Sequence, residues 1–73
     1  MVKDYIVRIK ADGGLMFAVE VKAVNQSEAL SEIVDMLRGE WVNLTDVNGN
    51  LNRLRTDRII NLVAIDKLKT SFL

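Results

Sequence analysis

The 73-residue chain has no cysteine and no histidine. Without cysteine there is no disulfide to staple a small fold, and without both residues the sulfur and nitrogen ligands that structural zinc prefers are missing. Carboxylates and backbone oxygens remain, which suit only hard cations. The same two absences remove the side chain poised near neutral pH and the most nucleophilic thiol, so general acid-base and covalent catalysis are hard to build here. Neither a cofactor nor a metal is expected, and an enzyme is not. Aromatic residues are scarce, at one Trp, one Tyr and two Phe.

An excess of one charge is missing too. Ten basic residues balance ten acidic ones. Residues 1 to 39 carry five and six, and residues 40 to 73 carry five and four, so no half forms a tail of one sign and no global field draws a polyanion. Long apolar runs are absent: "MVKDYIVRIKADGG" has a charge inside every apolar stretch, which excludes a signal peptide or a membrane span there. A cytoplasmic location is expected, and the lack of cysteine agrees with a reducing compartment. No Gly-, Ser- or Pro-rich linker interrupts the chain.

What is present is 49% hydrophobic residues in a chain long enough for one core only. A single domain over 1–73 follows. Such a chain buries about 60% of its unfolded surface, so good packing or self-association must supply what disulfides and metals do not.

In "DYIVRIK", Tyr5, Val7 and Ile9 alternate with Asp4, Ile6, Arg8 and Lys10, as in a half-buried strand. "ADGG" supplies a turn, and "LMFAVEVKA" alternates again, giving an antiparallel hairpin. Asn25 followed by Glu28 predicts a capped helix start. Ala29, Leu30, Ile33, Val34 and Leu37 form its apolar stripe, with Gly39 expected as the left-handed residue after its end. "WVNLTD" and "LNRLR" read as strands joined at Asn48-Gly49 by a type I′ turn, and "IINLVAID" as a final strand buried on much of both faces. The tail "KLKTSFL" is ambiguous.

The fold class expected is therefore α+β: a mainly antiparallel β-β-α-β-β-β arrangement with one helix packed on one face of a sheet. A single helix covers only part of one face. Ile6, Met16, Ala18 and Trp41 are assigned to the uncovered side, along with one half of the final strand.

Two sets of residues stand out. Ile6, Met16, Trp41, Leu51 and Phe72 are more apolar surface than one small core accommodates, and they form the candidate interface for a homo-oligomer or a protein partner. For Trp41 itself, a core plug at a corner is the reading taken ahead of an interface anchor. Arg53, Arg55, Arg58, Lys67 and Lys69 form a candidate anion or nucleic-acid contact. Against the latter stand nearby Asp46, Asp57 and Asp66 and the lack of an aromatic on the arginine-bearing strand. A solvated or protein-binding face explains the arginines more readily. Asp46, Asn48 and Asn50 alternate like the start of a calcium loop, but Leu51 and Asp57 stand where such a loop needs Gly and Glu, so a turn is the better reading.

With Ala23, Glu28, Ala29 and Leu30 at the helix entry, and Asp46, Gly49, Arg55, Asp57 and Ile59 in the closing segment, the chain resembles small, mostly uncharacterised accessory proteins of Gram-positive bacteria and their phages. The closing segment is also similar to Sm-like and other small barrels, apart from the central helix. That resemblance implies a phage or mobile-element accessory protein without catalytic residues to carry over.

Overall fold

The computed structural model describes residues 1–69 and has the expected element order. Strand β1 (Lys3–Ala11) leads through a 3-10 turn at Asp12–Gly14 into β2 (Met16–Ala23), helix α1 (Gln26–Met36), β3 (Trp41–Thr45) and β4 (Leu51–Arg55). A second 3-10 turn at Thr56–Arg58 precedes β5 (Ile59–Asp66), and a third covers Lys67–Lys69. All strand pairs are antiparallel.

The strands form two sheets rather than the single one expected. One is three-stranded in the order β2-β1-β5, and the other is the β3-β4 hairpin. β1 takes the centre: its inward residues, Tyr5, Val7, Ile9 and Ala11, are all buried, and Val7 and Ile9 face apolar partners on both sides. Val7 lies between Val19 and Ala64, and Ile9 between Phe17 and Leu62. Over this inner face sit Ala29 and Ile33 of α1 together with Val42 and Leu44 of the hairpin, closing one cluster that Leu30, Leu37 and Leu54 border. The helix thus shares with the hairpin the work of covering the sheet, which is why the strands separate into two layers.

Helix α1 starts where Asn25 Oδ1 accepts the Glu28 amide at 2.8 Å, satisfying an otherwise orphaned donor. Gln26 Nε2 donates to the Ala64 carbonyl at 3.1 Å and ties the first turn to β5. The apolar stripe is narrower than predicted. Val34 is 54% exposed, because Ala29, Ile33 and Leu37 at four-residue spacing already fill the contact line. Gly39 is not in the left-handed region, and the helix ends earlier, with Leu37 as its C-cap.

Two further expectations change. β5 is an edge strand, not one buried on both faces: only Ala64 is buried, and Ile60 is 61% exposed at a register shift where Lys10 pairs with Asn61 but Ala11 with Ile59. An apolar run alone does not distinguish an edge from a centre. The β3-β4 connection is not type I′. Asn48 avoids positive φ, and only Gly49 adopts it, at 83°. The Gly49 amide donates to the Asp46 carbonyl and the Asp46 amide to Asn50, both at 2.9 Å, so the loop spans Asp46 to Asn50.

Candidate interaction faces

The Asp46 side chain explains this wider loop. Its Oδ1 accepts the Asn48 and Asn50 amides, each at 3.0 Å, and its Oδ2 accepts Asn52 Nδ2 at 3.1 Å. These bonds, led by that from the Asn50 backbone and then the Asn52 side chain, lower the Asp46 carboxyl below its ordinary value. The two carboxylate oxygens of Asp46, the first residue of the pattern that looked like a calcium loop, are engaged in holding the turn.

The loop length sets the hairpin register. A two-residue turn at Asn48-Gly49 would put Trp41 opposite Thr56, whereas the observed pairs are Trp41 with Arg55, Asn43 with Arg53 and Thr45 with Leu51. Since Val42 and Leu44 point into the core, these six residues make up the outward face. Trp41 is 49% exposed and is not a core plug. The guanidinium carbon of Arg53 lies 5.2 Å from its ring centroid and that of Arg55 5.8 Å, both within cation-π range. Arg55 also grips Asp57, Nε to Oδ1 and Nη2 to Oδ2, each at 3.3 Å. Arg53 has no carboxylate within 4 Å among the described residues. Leu51 completes the face at 73% exposure.

The other three basic candidates do not join this pair. Arg58 leaves the strand in the following 3-10 turn and approaches Asp12 at 3.6 Å. Lys67 donates to Glu20 at 2.9 Å, a bond that reaches from the end of β5 across β1 to β2 and raises the ammonium above its ordinary value. Lys69 lies in the same terminal turn as Lys67.

The apolar candidates divide between two surfaces. Trp41 and Leu51 belong to the hairpin face. Ile6 and Met16 lie on the outer face of the three-stranded sheet, which neither α1 nor the hairpin covers. Phe72 falls outside the described residues. Cross-strand pairing aligns Ile6 with Glu20 and Ile65, Arg8 with Ala18 and Val63, and Lys10 with Met16 and Asn61. The apolar side chains of this face form a band that runs from Met16 and Ala18 on β2 through Ile6 on β1 to Ile65 and Val63 on β5, bending around Arg8, which stands between Ala18 and Val63. Val63 and Ile65 are the half of the final strand that falls on this uncovered face, which the sequence places there without naming the residues.

Two hollows remain. One of about 430 Å³ opens between the edges of β2 and β3, lined by 19–22, 43–45 and Glu32, Ile33 and Met36 of the helix. The other, about 320 Å³, lies among Met1, Lys3, Asp4, Asp66, Lys67 and Leu68, where Lys3 approaches Asp66 at 3.9 Å. No helix among the described residues is long and apolar enough to cross a membrane. Comparison with family models, with characterised proteins and with solved structures finds no match.

Proposed function

We propose that the protein is a non-enzymatic interaction module that pairs with a second copy of itself through the outer face of its three-stranded sheet. The observation that carries this reading is the band of Ile6, Met16, Ala18, Val63 and Ile65, aligned by the strand register on a face that the helix and hairpin leave open. Burying such a band is favourable at roughly 25 cal/mol per Å² of apolar surface. Asp4, Lys10, Glu20 and Lys22 around the band and Arg8 within it supply both signs, which suits an isologous contact in which each copy offers the other the same patch. The non-enzymatic part rests on composition, since histidine and cysteine are absent.

Ile6→Lys tests the assignment, because a lysine at the central strand sits across from Glu20 and is tolerated by the sheet while charging the apolar band. In size-exclusion chromatography the wild type elutes as an oligomer and the variant as a monomer. Identical elution of the two at every concentration refutes the assignment of this face.

A further inference from the structure

We infer that the outward face of the β3-β4 hairpin is a second, independent site that binds single-stranded nucleic acid, with Trp41 as the stacking platform and Arg53 and Arg55 as the phosphate contacts. It does not rest on association through the three-stranded sheet, which uses a different surface.

The argument begins with local charge. The chain is neutral overall, yet the outward residues of this hairpin, Trp41, Asn43, Thr45, Leu51, Arg53 and Arg55, include two guanidinium groups and no carboxylate. The face therefore carries a local positive charge that the whole-chain sum conceals. Asp57, the nearest acidic partner, lies beyond the end of β4 and engages Arg55 only, leaving Arg53 without a carboxylate within 4 Å among the described residues. A polyanion is the partner that complements such a face. A carboxylate-rich protein surface offers the same sign without the second feature, the exposed indole.

That second feature is the register. Arg55 is directly across from Trp41, and Arg53 is the diagonal neighbour, so both guanidinium groups lie within 6 Å of the ring while about half of the indole surface stays open. Arg53 and Arg55 are two residues apart, about 7 Å along the strand. The two guanidinium groups are thus held beside the ring, and bases stack on aromatic rings and on guanidinium planes alike. In a duplex the faces of the bases are occupied by their neighbours, so a platform of this kind selects single strands. Asn43 and Thr45, on the same face, add neutral hydrogen-bonding groups.

The sole tryptophan of the chain is the reporter. The probe is an oligothymidylate of about a dozen nucleotides, within the span one small domain covers. Adding it to the full chain at about 50 mM salt quenches Trp41 fluorescence, and affinity falls with a log-log salt slope near −1.4 for two phosphate contacts on a single strand. Trp41→Ala weakens binding by roughly fivefold to a hundredfold, and Trp41→Phe restores most of it. Replacing Arg53 and Arg55 together by alanine flattens the salt slope, while Lys69→Ala changes nothing. These positions are on an exposed face, and circular dichroism verifies that each variant is folded. The inference is overturned if the oligonucleotide neither binds nor quenches at low salt, if Trp41→Ala binds as tightly as the wild type, if a duplex of the same length binds better, or if Lys69→Ala costs as much as the arginine substitutions.

Discussion

Truncating Ile33 to alanine should remove a large part of the stability of the domain. Ile33 is fully buried on the contact line of α1, within the cluster formed by the inner face of the sheet and the hairpin. The change deletes three carbon atoms, worth about 0.8 kcal/mol each on transfer from water, or about 2.4 kcal/mol. The surroundings relax only partly around the space left behind, which raises the cost, and the better helix propensity of alanine returns a few tenths. A loss of about 3 kcal/mol results. For 73 residues the total stability expected is about 4 to 11 kcal/mol, so the variant is close to unfolding at worst and clearly weakened at best. Urea denaturation followed at one low protein concentration measures it, because self-association would otherwise add to the apparent stability. With a slope near 1 kcal/mol per molar for a protein of this size, the midpoint falls by about 3 M. Val34→Ala, one position on but 54% exposed, is the internal control and should cost under about 1 kcal/mol. If the two variants lose equal stability, or if Ile33→Ala loses less than Val34→Ala, the helix does not pack as described.

Other outcomes follow from single contacts. Asn25→Ala removes the acceptor of the Glu28 amide and should cost about 1 kcal/mol, against a few tenths for Asn25→Gly, in the same denaturation assay. Gly49→Ala forces a side chain into the left-handed region at φ 83° and should cost about 1 to 2 kcal/mol, although the space around it is open. Asp46 has a folded carboxyl lowered by its hydrogen bonds, so its contribution is fully present above the ordinary value of 3.8 and is lost as pH falls through the lowered folded value. The gap in melting temperature between the wild type and Asp46→Ala should therefore narrow as the solution is acidified below pH 3.8. A gap that widens on acidification refutes the sign.

Where sequence and structure agree, several local signals coincide. The alternation of Tyr5, Val7 and Ile9 fixes the inner face of β1, and Asn25 with Glu28 places the start of α1 to the residue. The span of β5 is legible from its β-branched run, but its place at the sheet edge is not, because edge or centre depends on what pairs beside it. The pairing of Trp41 with Arg55 was hidden by one residue of register. Asn48-Gly49 suggests a two-residue turn, while Asp46, by accepting two backbone amides of the loop, stabilises a longer one and shifts every cross-strand partner. The division into two sheets was likewise invisible locally, since it arises from the hairpin and helix sharing one inner face. The local positive charge of the hairpin disappears in a whole-chain sum because acidic residues lie at its ends, not on its outward side.

Association through the outer face of the three-stranded sheet is the claim on which the functional account stands, and sedimentation equilibrium across a wide range of protein concentration addresses it without any partner in hand. The account predicts a mass that rises with concentration from the 8.2 kDa of one chain toward twice that value or more. A mass that stays at 8.2 kDa up to the highest concentration reached contradicts it.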